Sequence, residues 1–173
     1  MTDGNDRLSV AQIMRRDIPP ASPADSIATI ARLLADNALP GVPVIENGTL
    51  VGIVTESDLV FREADMSVPT VVPVLDAMLV ADAGSPFEED LRRVLAVTAG
   101  QLMTSPVYTI RHSATLNQVA TVMVEHQVNP VPVVDESNTL VGMVSRADLV
   151  RVIARLEGAP RGEEDRGAGD GRA

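Results

Sequence analysis

The 173-residue sequence contains no cysteine, no lysine and no tryptophan, and its aromatic side chains amount to two Phe and one Tyr. Without cysteine there is no disulfide, no thiolate metal site and no cysteine nucleophile. Without an aromatic set there is no platform on which bases could stack. All 14 basic residues are arginine and 24 residues are acidic, leaving a formal charge of −10. Such a chain repels a phosphate backbone, so nucleic acid is not expected as a partner. No apolar run approaches the ~18 residues of a membrane span, and the opening residues, MTDGNDRLSV, are polar. A soluble, cytoplasmic protein with no membrane partner is expected. Two His, no glycine-rich phosphate loop and no clustered carboxylates at catalytic spacing offer little for chemistry, so the chain is not expected to be an enzyme.

What the sequence does have is a duplication. TLVGIVTESDLV at Thr49 to Val60 returns as TLVGMVSRADLV at Thr139 to Val150, and LPGVPVIE returns as VNPVPVVD. Met14, Ile27 and Pro43 recur 89 positions later as Met103, Leu116 and Pro132; one extra residue in the turn places Asp148 90 after Asp58. A repeat of this kind sets the reading of the fold. In each copy apolar residues fall at helical spacing after a capping residue: Ile27, Ile30, Ala31 and Leu34 after Asp25 or Ser26, and Leu116, Val119, Ala120 and Met123 after Thr115. A β-branched run, GVPVI or PVPVV, follows. The chain then turns, at Asn47-Gly48 by a strong hairpin signal, and a second strand leads into a helix opened by Thr55 or Ser145. The predicted fold is α+β: two β-α-β-β-α repeats, each too small to close its own core, packed face to face with an inserted helical segment.

The expected organisation is a disordered N-terminus (1–8), repeat 1 (9–60), an insert (61–97), repeat 2 (98–156) and a disordered tail (157–173), whose Gly, Ala and charge cannot repay ordering. In the insert, SVPTVVPVLDAMLV has no clean period. SPFEEDLRRVLAVT predicts a helix over about 85–98, with Ser85 as N-cap, Pro86 in the first turn and Glu88 closing a capping box. Ser9-x-x-Gln12 and Thr98-x-x-Gln101 read as caps only, and the seven Met read as core filler rather than metal ligands.

An apolar-Pro-apolar strand, a Gly in the next strand and then Thr or Ser three residues before Asp, twice in one chain, resembles a tandem pair of CBS domains, the family named after cystathionine β-synthase. The match covers about Ser9 to Val60 and Thr98 to Ile153. The resemblance implies a pseudo-two-fold module with clefts between the repeats that bind adenosine-containing ligands such as AMP, ADP, ATP or S-adenosylmethionine. It also implies a regulatory role toward some effector protein, and pairing into a flat, disk-like homodimer. No catalytic cofactor or metal is implied; the adenine nucleotide or S-adenosylmethionine would be a regulatory ligand.

The chemistry suits that implication. A carboxylate in the first turn of a helix can accept from a ribose diol through charge-assisted hydrogen bonds, and a hydroxyl at the same helix start sits beside free backbone N–H groups. Proline and glycine in LPGVP and NPVP leave backbone approachable at the rim of an apolar slot for adenine. Thr55-x-x-Asp58 and Ser145-x-x-Asp148 are equally capping boxes, which the cap alone would explain.

Carried over from the family, one cleft joins Thr55 and Asp58 to Thr104, Val107, Val128, Asn129 and Pro130. The other joins Ser145 and Asp148 to Arg15, Ile18, Leu39, Pro40 and Gly41. Repeat 1 departs from the pattern where Arg15 and Pro20 replace Thr104 and Thr109, so the Asp58 cleft is the closer match and Arg15 would turn the other toward phosphate. His126 stands where some members place a phosphate-contacting His, or else it simply favours a helix C-terminus. Arg146 either reaches a phosphate or is a solvated arginine, and His112 and Tyr108 read as structural. The alternative function is a ligand-free protein-protein interaction or scaffold module that acts through dimerisation and the insert helix.

Overall fold

The computed structural model describes residues 8–63, 71–74, 77–80 and 95–158. The elements run α1 (Val10–Ile13), α2 (Ile27–Asn37), β1 (Gly41–Glu46), β2 (Thr49–Thr55), α3 (Glu56–Glu63), β3 (Val71–Val74), β4 (Ala77–Val80), α4 (Ala99–Leu102), β5 (Ile110–Arg111), α5 (Leu116–Glu125), β6 (Val131–Val134), β7 (Leu140–Val144) and α6 (Arg146–Gly158). The α+β plan read from the sequence is present in both copies. Ser26 caps α2 by accepting the Thr29 N–H at 3.2 Å, and Thr115 caps α5 by accepting the Gln118 N–H at 3.3 Å. The apolar faces expected there are inward, with Ile30, Leu34, Leu116, Val119 and Met123 buried.

Strands β1 and β2 form an antiparallel hairpin, with Val42 opposite Val54 and a bulge at Val44/Ile45. Its turn takes the expected residues, Asn47 at φ 49° and Gly48 at φ 81°, the positive values that a tight hairpin needs. The second copy repeats the arrangement as β6 and β7, with a bulge at Val133/Val134. The extra residue sits in a wider loop, where Asp135 Oδ1 accepts the N–H groups of Ser137 (2.8 Å) and Thr139 (2.9 Å). The first strand of each unit is short. It is β5, parallel to β6, in the second copy and a single bridge from Ala21 to Val44 in the first.

The repeat pattern does not dictate how the cores close. Val10 and Met14, from the first copy, are buried among Ile110, Leu116, Val119, Val131, Val133 and Val144 of the second. Ala99 and Leu102, from the second copy, are buried among Ile30, Leu34, Val42, Val44 and Val54 of the first. The leading segments are therefore exchanged. The backbone seals each exchange in the same way: Val10 N–H donates to Ala114 O (2.7 Å) and Ala99 N–H to Asp25 O (2.8 Å). Beyond the short helices, Arg15 and Met143 exchange two backbone hydrogen bonds (2.8 and 2.9 Å), and so do Thr104 and Ile53 (2.9 and 3.2 Å). Gln12 Oε1 and Gln101 Oε1 accept the N–H groups of Ser9 (2.8 Å) and Thr98 (3.3 Å), so both pairs are caps.

This exchange explains the twice-written glycine. A β-carbon on Gly142 would stand 2.6 Å from the carbonyl oxygen of Arg15, and one on Gly52 would stand 2.2 Å from the Met103 sulfur. At Gly142 only a residue without a side chain lets the crossing backbone lie so close, and at Gly52 a side chain would displace that of Met103.

The insert holds one feature that the sequence did not announce, a hairpin in which β3 pairs antiparallel with β4, Val71 opposite Val80. The helix predicted over about 85–98 falls outside the described residues as far as 94; Leu95 is helical, while Ala96 and Val97 are not. Most of the two ends expected to be disordered lies outside the described residues as well. At their inner edges Leu8 O accepts the Leu116 N–H at 3.2 Å, and α6 continues through Glu157 to Gly158. Among the described residues no helix is long and apolar enough to cross a membrane.

Candidate functional site

Each duplicated strand ends at a helix, and the junction is held the same way in both copies. Asp58 Oδ2 accepts from the backbone N–H of Thr55 (2.8 Å) and from its hydroxyl (2.7 Å). Asp148 Oδ2 accepts the N–H of Ser145 (2.8 Å) and its hydroxyl (2.6 Å). The cap is real, and in each copy it employs only one carboxylate oxygen. The other oxygens differ. Asp58 Oδ1 has no hydrogen-bond partner among the described residues, whereas Asp148 Oδ1 accepts from Arg151 Nη1 at 2.7 Å.

Both aspartates line cavities. A cleft of about 180 Å³ joins Thr55 and Asp58 to Thr104, Val107, Val128, Asn129 and Pro130, so the walls expected from the sequence do meet across the two copies. A second cleft, of about 300 Å³, joins Ser145 and Asp148 to Arg15, Ile18, Leu39 and Pro40. The Asp58 cleft, the closer match to the family pattern in sequence, is the smaller of the two. The exchange of segments brings these walls together: Thr104 is pinned to Ile53 at the end of β2, and Arg15 to Met143 in β7. Asn129 and Pro130 line both clefts.

Three expected residues stand apart from the cavity walls. Gly41 is buried, with the ring of Pro130 2.7 Å from where its β-carbon would be. It allows close approach of the two copies instead of facing the cleft. Arg146 is not among the lining residues; its backbone N–H, the first of α6, donates to Asn129 Oδ1 at 2.9 Å. His126 caps α5 and stacks on Tyr108, ring centroids 3.9 Å apart and planes 12° from parallel. Tyr108, assigned to structure from sequence, lines the Asp58 cleft, whereas His126 is not among its lining residues. The sequence reading also missed Glu56, Met143 and Arg151, which line the larger cleft. Arg151 carried a usable signal, because a residue three after Asp148 on a helix shares its face.

The family model described as the CBS domain matches residues 10–65 and again 99–155, together more than half of the chain. The chain belongs to the CBS domain family. As a CBS-domain pair it is 31% identical over 154 residues to an uncharacterized protein, MJ1426, of Methanocaldococcus jannaschii, covering 84% of this chain and 91% of that one. It is 27% identical over 150 residues to the chloroplastic CBS domain-containing protein CBSX2 of Arabidopsis thaliana, of whose length this CBS pair spans 61%. Among solved structures, CBSX2 in complex with AMP superimposes with a TM-score of 0.68 at 23% identity, over 85% of this chain and 97% of that one. The CBS domain pair of protein MJ0100, in complex with 5′-methylthioadenosine and S-adenosyl-L-methionine, gives a TM-score of 0.60 at 22% identity, over 86% and 97%. At these identities the structures share the CBS-pair fold with this chain.

Proposed function

We propose that this CBS pair is a regulatory sensor that binds an adenosine-containing ligand between its repeats and performs no chemistry of its own. One observation carries the reading: each twice-written aspartate lines a cavity whose opposite wall comes from the other copy. A capping role alone would not require a cavity at both junctions. Asp58 supports the reading further, since it lines the cleft and completes its cap with one oxygen, the other having no hydrogen-bond partner among the described residues. CBSX2 with AMP, and MJ0100 with 5′-methylthioadenosine and S-adenosyl-L-methionine, show the class of ligand that related folds accept.

The test is a melting curve with adenosine and with 2′-deoxyadenosine. A ligand that binds only the folded state at a hundredfold excess over its dissociation constant adds about 2.7 kcal/mol, which for a chain of this size is a rise of roughly 5–10 °C. Adenosine should give that rise and 2′-deoxyadenosine clearly less, because it offers the carboxylate one hydroxyl fewer. Equal shifts would mean that the aspartates do not read ribose. No shift with any adenosine compound would leave the ligand-free scaffold.

We infer also that two copies pair. Val60, at 70% exposure, and Val150, at 63%, occupy matching positions on α3 and α6, and Ile153 and Leu156 extend the second set along its helix. An apolar stripe of this kind is best covered by a second copy. Light scattering at tens of micromolar should give twice the chain mass, and Val150→Glu should move it toward the monomer; a monomer mass for the unaltered chain would end the idea.

A further inference from the structure

The two clefts are built from the same words yet differ in charge. Arg15, Arg151, Glu56 and Asp148 line the larger one. Among the described residues the smaller has no cation in its lining, and its ionisable residues are Asp58 and Tyr108. Both arginines stand where the other copy has none: Thr104 is the counterpart of Arg15, and Phe61 is the counterpart of Arg151.

Neither guanidinium is used up. Arg15 donates one hydrogen bond, from Nη1 to the carbonyl oxygen of Asn37 at the end of α2 (2.8 Å), which fixes the side chain beside the cleft. Its remaining donors have no partner among the described residues. Arg151 donates from Nη1 to Asp148 Oδ1 and has no other partner among the described residues, its side chain 67% exposed. A guanidinium presents five donors in a planar fork suited to phosphate. The carboxylates are arranged in the reverse sense. Asp148 spends one oxygen on its cap and the other on Arg151, which leaves less for a ribose; Asp58 keeps Oδ1 open, but an anion entering its cleft would meet that charge without a compensating cation.

Resting on the ligand reading above, we propose that the clefts divide the adenosine ligands between them. The Ser145/Asp148 cleft takes the phosphorylated class, held by Arg15 and Arg151, and the Thr55/Asp58 cleft takes the uncharged class, held by its ribose. Arg15 and Arg151 are the specificity-determining residues.

Calorimetric titration of the full chain with ATP and with adenosine, at low and high salt, tests the division. ATP affinity of the unaltered chain should fall with salt while adenosine affinity holds, because exposed charge pairs are screened. In Arg15→Gln/Arg151→Gln the ratio of ATP to adenosine affinity should drop by about tenfold or more, since two charge-assisted contacts are lost. Arg15→Lys/Arg151→Lys should recover much of it, and Asp58→Asn should move the ratio the opposite way by weakening adenosine. If the Gln variant loses both ligands by the same factor, Arg151 merely steadies Asp148 and the division is wrong. If it keeps the ratio of the unaltered chain, the arginines do not contact phosphate and the division is again wrong, with the ligand reading intact. If the unaltered chain binds neither compound, both ideas fall.

Discussion

Replacing Leu102 by alanine is expected to destabilise the protein by about 2–5 kcal/mol, as for other fully buried leucines, and to do so in the repeat to which Leu102 does not belong by sequence. Its side chain has no exposed surface and is buried with Val42, Val44 and Val54. Thermal melting gives the magnitude, and amide hydrogen exchange gives the location. Protection should be lost first in Gly41–Glu46 and Thr49–Thr55, while Val131–Val134 and Leu140–Val144 stay slow to exchange. Protection lost first in the latter pair would mean that the leading segments are not exchanged. Leu95→Ala is the control, because Leu95 is 67% exposed and its truncation should change stability by less than about 0.5 kcal/mol.

Asp58 offers the second large effect, on binding. Its cap uses Oδ2 alone, and the side chain lines the cleft. Asp58→Asn can keep the cap with the amide oxygen while placing an NH2 where Oδ1 would accept from ribose, so most of the stability remains and adenosine binding falls by about tenfold to a hundredfold, the loss of a charge-assisted hydrogen bond. Asp58→Ala loses both functions, the cap costing about 0.5–2 kcal/mol. Melting and titration of the two variants side by side decide the matter. If Asn binds adenosine as the unaltered chain does, the aspartate is a cap and nothing more.

Residues whose role is local could be read from the sequence. Thr55 and Asp58, or Ser145 and Asp148, are joined by a turn of helix, and Asn47-Gly48 by a hairpin, so spacing alone brings them together. The distant walls, Thr104 and Val107 or Arg15 and Ile18, followed from the family resemblance rather than from spacing. The exchange itself was not legible. Val10 and Ala99 sit in equivalent patterns, and the same apolar residues could close either core; only the three-dimensional path of the chain selects the far one. Tyr108 went unrecognised for the same reason, since it follows the exchanged segment that Thr104 pins to Ile53. The hairpin at Val71–Val74 and Ala77–Val80 was hidden by Pro73, which interrupts the alternation that marks a strand.

The exchange also means that the written repeat and the physical unit are out of step. Among the described residues, one core draws its buried side chains from the continuous stretch between Ala21 and Leu102, whereas the other combines Val10 and Met14 with residues from Ile110 to Val152. As the chain leaves the ribosome, the first of these can close once Leu102 has emerged. The leading residues, made earliest, must wait for nearly everything else before they find their place. A fragment cut after Met103 keeps a whole interior, while a cut between the repeats as they are spelled leaves both halves open.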